Sequence, residues 1–339
     1  MLDLKNLEKY DSQKMYKIYE KWPEIAKEQY DHNFPKVDFE NISNIIFAGM
    51  GGSGTIGDIF SSILSKTDIH VNVVKGYLLP KTVNNNSLVV VTSVSGNTDE
   101  TLNILKSTKK IGCKTIAFSS GGLVREYCEE NNIEYRKLTM IHSPRASLVS
   151  FLYAMLKILE PIIPILKKDI IESIEELGKI KKQISFRNLS NTNQALSIAE
   201  WIENIPVVYY PAGLQSAAIR FKNSLQENAK LHAITEDIIE ACHNGIVPWV
   251  TKTNLKPILI EGSDDYYKTK ERWSVIKELF DSTQVEYKEV FSINGNILSK
   301  LMCLIYLLDY ASIYKAVMSK TDPTPVEPID FVKRSLEGT

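Results

Sequence analysis

The sequence has few cysteines, no excess of either charge and no long apolar run. Cys113, Cys128, Cys242 and Cys303 lie far apart with no C-x-x-C pair. Neither a disulfide framework nor a zinc ribbon is expected, and a reducing cytoplasm is the expected compartment. A formal net charge of −1 argues against the broad basic face that nucleic acid or an anionic membrane requires. The richest apolar run, Leu301 to Leu308, falls well short of the roughly 20 residues of a bilayer span. The first residues, Met1 to Glu8, lack the apolar core of a cleaved leader. His32, His70, His142 and His232 show no ligand spacing, so no metal is expected.

What is present is a globular composition. With 339 residues and 44% hydrophobic content, the chain can hold two domains, each with its own core. Residues 4 to 31 read as amphipathic helix, with Pro23 starting or kinking a turn. Strand patterns follow at Asn44–Ala48, Ile69–Val74, Ser87–Thr92, Lys114–Phe118 and Ile133–Leu138. Helical patterns at Thr55–Lys66, Asn97–Lys110 and Leu123–Asn131 separate them. This alternation predicts an α/β fold with a doubly wound parallel sheet. Pro144–Leu159 reads as an apolar helix and 167–185 as a solvated connecting helix. The second half repeats the plan with strands at Pro206–Tyr210, Pro257–Glu261 and Val285–Val290, and helices at 192–203, 214–229, 267–281 and 295–318. The expected division is 1–160, a connector at 161–190, and 191–339 with a C-terminal tail. The two prolines of Thr321–Val326 predict an extended tail over the surface.

Two loops carry the chemistry. The first, Gly49-Met50-Gly51-Gly52-Ser53-Gly54, follows a strand and opens a helix. It fits the dinucleotide fingerprint G-x-G-x-x-G, but the second strand ends in Lys75-Gly76 where such a fold needs an acidic residue for the ribose. The second loop, Ser93-Val94-Ser95-Gly96-Asn97-Thr98, offers three hydroxyls at a helix start. Hydroxyls and backbone amides suit a phosphate without making a site strongly basic. A plain helix cap is the alternative.

These loops resemble the two phosphate loops of the sugar isomerase (SIS) domain. More narrowly, the chain is similar to the archaeal-type bifunctional phosphoglucose/phosphomannose isomerases, which carry two SIS domains in tandem. The resemblance extends to Ser143–Leu148, Gln226–Lys230, Cys242–Ile246 with Trp249, and the tail from Asp322 to Val326. It implies two flavodoxin-like α/β/α sandwiches and an aldose–ketose isomerase acting on hexose 6-phosphates with no cofactor. It further implies a homodimer with its active site near the interface, where a histidine is donated across. By the same resemblance, Gly52, Ser53, Ser93, Ser95 and Thr98 bind the substrate phosphate. Arg145 stands near C1–C2, Glu227 is the catalytic base and His243 opens the ring. Thr324 matches a tail threonine linked with accepting mannose 6-phosphate, and Lys333 a tail lysine. Val94 and Gly245 depart from the family, which often has an aromatic residue and an acidic residue there.

On the residues alone, Glu227 reads as a solvated carboxylate near a helix end. Its use as a base requires partial burial to raise its pKa. His243 reads equally as a capping residue, although Cys242, Ile246, Val247 and Trp249 are expected to wall it from water. Three other functions stay open: a sugar-phosphate sensor, an enzyme of amino-sugar phosphates, and nicotinamide chemistry on the first loop.

Overall fold

The computed structural model describes residues 2–337. The chain forms two compact units. One comprises Lys21–Lys179 with Gly295–Cys303; the other comprises 2–20, Ile180–Asn294 and 304–337. Residues 2–20 therefore belong with the second half of the chain, across the contiguous ranges read from sequence.

The first of these units holds a parallel sheet of β1 (Asn44–Ala48), β2 (His70–Val74), β3 (Ser87–Ser93), β4 (Lys114–Ser119) and β5 (Glu134–Lys137). Its order is β2-β1-β3-β4-β5. Every residue of β1 and β3 is buried, as their β-branched and aromatic runs predict for strands covered on both faces. Ile46, Val89, Val91 and Ala117 meet Ile104, Leu105 and Val124 from the helices on one face. Each such buried aliphatic contributes about 1.5–3 kcal/mol. Crossing from β1 to β2 on one side and β3 on the other creates a switch point, where the carboxyl ends of β1 and β3 open a crevice.

The other unit holds β6 (Pro206–Tyr210), β7 (Ile234–Asp237), β8 (Lys256–Glu261) and β9 (Lys288–Phe291), all parallel, in the order β7-β6-β8-β9. This is the first sheet's order without its last strand, so the two halves do share one architecture. The edge strand β7 is only four residues long and carries two acidic residues, which hides it from a hydrophobic pattern. Trp249 donates from Nε1 to the Tyr209 hydroxyl at 2.8 Å, and burial pushes that phenol up to about 12.

The N-terminal segment is three short helices, Leu4–Tyr10, Met15–Tyr19 and Trp22–Asp31, instead of one kinked helix. Asp11 breaks it: its buried carboxylate accepts from the amides of Met15 and Tyr16 at 2.9 Å each, and Lys14 takes a left-handed φ of 56°. The helix Ile297–Met318 is long and apolar enough to cross a membrane, which the sequence reading did not foresee. However, 89% of its most apolar window is buried, so it is a core element. Its Tyr306, Tyr310 and Tyr314 lie one turn apart with their rings in tilted contact and donate to the carbonyls of Tyr19, Tyr16 and Ile184.

Candidate active site

The five-stranded unit brings the two hydroxyl loops together. The helix behind β1 begins at Gly51, four residues earlier than the sequence suggests, and no side chain caps it. Its first amides are left for an anion. Gly51 has a φ of +52°, a turn that suits glycine. Gly52 and Ser53 occupy the first helical turn, and the Ser53 hydroxyl accepts from the Val94 amide of the second loop at 3.3 Å.

In that second loop the Thr98 side chain does not cap its own helix. Its Oγ1 meets the Ser93 Oγ at 2.9 Å, and Ser93 also accepts from the Gly96 amide at 3.1 Å. The Ser95 hydroxyl accepts from Asn97 at 3.3 Å. Gly96 turns at φ +76° with the Gly121 carbonyl packed where a Cβ would stand, which seats the loop. The hydroxyls thus form a cluster at the ends of β1 and β3, more than a helix cap demands. Lys75 stands where a dinucleotide fold needs an acid. It packs on Gly54 and pairs with Asp58 at 2.5 Å. Burial raises the Asp58 carboxyl, and Lys75 opposes that rise. The nicotinamide reading loses its ribose anchor here.

Arg145 lies in the turn between β5 and the next helix and is 5% exposed. That helix starts at Leu148, not Pro144. The Ser147 hydroxyl folds the preceding residues into a turn by donating to the carbonyls of Ile141 and Ser143 and accepting from the Ile141 amide. The arginine is therefore not at a helix start, where the helix dipole would disfavour a cation.

The four-stranded unit carries the remaining candidates. The helix Gln215–Ser224 continues into a π-turn, Leu225–Ala229, which holds Glu227 half-buried. Such one-turn widenings are rare and favour functional positions. Two buried bonds anchor the turn: Asn228 Nδ2 donates to Ser312 Oγ at 2.8 Å, and Ser312 donates to the Asp309 carbonyl at 2.7 Å. One turn earlier Arg220 and Asp309 form a buried pair at 2.8 Å. Burial alone would lower the guanidinium's pKa. Asp309, with smaller help from Tyr19 and Glu227, holds it above its ordinary value instead.

The tail Thr321–Val326 is not a surface strap. Pro323 is buried and Asp322 and Thr324 are half-buried. Beyond it, Glu327–Glu337 forms a helix that the sequence reading missed, and Lys333 lies on it, exposed. His243 follows the short helix Ile238–Ala241 in an exposed turn, its amide donating to the Glu240 carbonyl at 2.9 Å. Among the described residues Val247 and Trp249 do not form the expected apolar wall, because Val247 is 64% exposed and Trp249 is buried in the core. At Gly245 the Glu236 carboxylate of β7 fills the space a side chain would take. A carboxylate therefore stands beside this turn although residue 245 supplies none. Burial, then Glu240, raises the Glu236 carboxyl.

The SIS domain family matches residues 38–156, and the family described as the bacterial phospho-glucose isomerase C-terminal SIS domain matches 191–336. A bifunctional phosphoglucose/phosphomannose isomerase of Caldicellulosiruptor bescii is 29% identical over 314 residues, 88% of this chain and 91% of that one. The chain carries two SIS domains in tandem. The Aquifex aeolicus relative of the same description is 27% identical over 339 residues, covering 96% of this chain and 99% of its own. In fold, the chain resembles the C-terminal domain of glucosamine-fructose-6-phosphate aminotransferase from Francisella tularensis. That likeness has a TM-score of 0.69 at 17% identity and covers 92% and 98% of the two chains.

Sequence reasoning missed Arg220, Asp309, Lys230 and Glu236. Asp309 left a signal: an acidic residue inside an apolar helical run requires a buried partner.

Proposed function

We propose that this protein is a cofactor-independent isomerase that interconverts glucose 6-phosphate, and also mannose 6-phosphate, with fructose 6-phosphate through a cis-enediol. Similarity along nearly the whole chain to bifunctional isomerases carries the reading. The chemistry needs a grip on phosphate, an acid to open the ring, a base for the C2 proton and a donor for the developing oxyanion. The Gly52 amide and the hydroxyls of Ser53, Ser93, Ser95 and Thr98 supply the grip. His243 protonates the ring oxygen as the C1 hydroxyl loses its proton, which leaves the open aldose. Glu227 removes the C2 proton and returns it to C1, and Arg145 stabilises the charge on the enediolate oxygens. As the hydroxyl proton of O2 passes to O1, the carbonyl moves from C1 to C2 with no electrons leaving the sugar.

The working form in this reading is a cytoplasmic homodimer. The exposure of His243 supports it, because a ring-opening histidine in open water needs a partner surface to shield it. Light scattering that finds only monomer at working concentration would remove that part.

A coupled assay on each aldose phosphate tests the function. Glu227→Gln should lower kcat about 10²–10⁴-fold, the usual span for a lost general base. Activity near wild type in that variant would sink the assignment of the base. Phosphosugar binding with no turnover would instead mark a sensor. Turnover of glucosamine 6-phosphate without mannose 6-phosphate would mark an amino-sugar enzyme.

A further inference from the structure

Lys230 ends the π-turn that bears Glu227. Its own backbone is left-handed, with φ 57°, and its amide donates to the Leu225 carbonyl. A helix end leaves carbonyls without intrahelical partners, and a cation there is favoured. The ammonium folds back over the turn and donates to the Glu227 carbonyl at 2.7 Å and the Asn228 carbonyl at 3.5 Å. The same nitrogen also reaches the tail, meeting the carbonyls of Asp322 at 3.1 Å and Pro323 at 3.4 Å.

The tail is shaped at that point by Asp322. One of its carboxylate oxygens accepts from the Thr324 amide at 2.9 Å. The other accepts from the Ser12 hydroxyl at 2.5 Å. One cation thus joins two segments that lie 92 residues apart in sequence. One carries the carboxylate of Glu227; the other carries the hydroxyl of Thr324.

We propose that Lys230 is a positioning residue that clamps the tail to the Glu227 turn and thereby governs which C2 epimer is turned over; this rests on the isomerase reading above. Glucose and mannose 6-phosphates differ only in configuration at C2 and lead to the same enediol. A single carboxylate accepts both C2 protons only if the sugar is held differently for each epimer. A hydroxyl at fixed distance from that carboxylate is a means of holding it. Lys230 ties together the backbone segments that carry the two groups, through the carbonyls of Glu227, Asn228, Asp322 and Pro323.

Hydrogen exchange and kinetics on the full chain test this with Lys230→Met, which keeps the side chain's length and removes its charge. Amide exchange should quicken together in 225–231 and 321–326. Mannose 6-phosphate kcat should fall about 10-fold or more, glucose 6-phosphate kcat no more than about 3-fold, and KM should hold for both. Lys230→Arg, which restores a cation, should recover most of the loss. Unchanged exchange in either segment overturns the clamp, whatever the enzyme turns over. Faster exchange with equal loss on the two epimers overturns the specificity role. A wild-type chain that turns over neither epimer refutes the isomerase reading instead, while the exchange result still decides the clamp.

Discussion

Asp309→Asn is the most informative single change. The Asp309 carboxylate is fully buried and the Arg220 side chain is 3% exposed. Asp309 accepts from Arg220 Nε at 3.2 Å and Nη2 at 2.8 Å, from Ser224 Oγ at 2.6 Å, and from the Tyr19 hydroxyl at 3.0 Å. Asparagine keeps the shape but replaces one acceptor oxygen with a donor, which then faces donors. It also leaves the guanidinium buried without a counter-charge. Breaking a buried pair from one side costs about 3–5 kcal/mol, and each hydroxyl left unsatisfied adds to that. A loss of about 4 kcal/mol is expected, which for a chain of 339 residues corresponds to a Tm roughly 6 °C lower. The double replacement Arg220→Met/Asp309→Leu removes both charges and should cost under about 2 kcal/mol, because an apolar pair of similar volume often substitutes well. Urea unfolding at pH 7 followed by circular dichroism reads both. A single variant within about 1 kcal/mol of wild type, or a double variant worse than the single, would refute the reasoning.

Three further outcomes are expected. Ser53→Ala should raise KM for the hexose phosphates roughly 10- to 150-fold, as loss of a hydrogen bond to a charged group costs about 1.5–3 kcal/mol; an unchanged KM would remove Ser53 from the phosphate grip. Burial pushes the thiols of Cys128 and Cys303 up to about 12, with neighbouring glutamates adding a little. Both should resist a disulfide reagent at pH 8 until the protein unfolds, while the half-buried Cys113 and Cys242 react first. These raised thiols also contribute stability that is present below about pH 8.5 and is lost as pH climbs towards 12; urea midpoints that stay constant through that window would contradict it. Because the Glu236 carboxyl is raised in the folded state, its ionisation opposes folding at neutral pH, and that cost disappears once both states are protonated. Glu236→Gln should therefore raise the urea midpoint at pH 7 and leave it unchanged near pH 4.

The sequence by itself determined the parallel α/β architecture. Its buried strands are short β-branched runs that local pattern exposes, and β1 and β6 lie at the residues the pattern marks. It also marked the two loops that meet at the ends of β1 and β3, because glycines and hydroxyls cluster there in the sequence. Where reading failed, the deciding contact lay far along the chain. The break at Asp11, the π-turn at Glu227 and the half-buried tail each depend on a partner that only folding supplies. Asp309 lies 89 residues from Arg220, and Asp322 lies 92 from Lys230. Hydrophobic period records which face of an element is covered, not which charge or carbonyl comes to meet it. The exposure of His243 was hidden for the same reason. Apolar neighbours in sequence gave no shelter, since Trp249 turned into the core and Val247 out to solvent. Tertiary structure alone decided which residues hold Glu227, and with them the tail that carries Thr324.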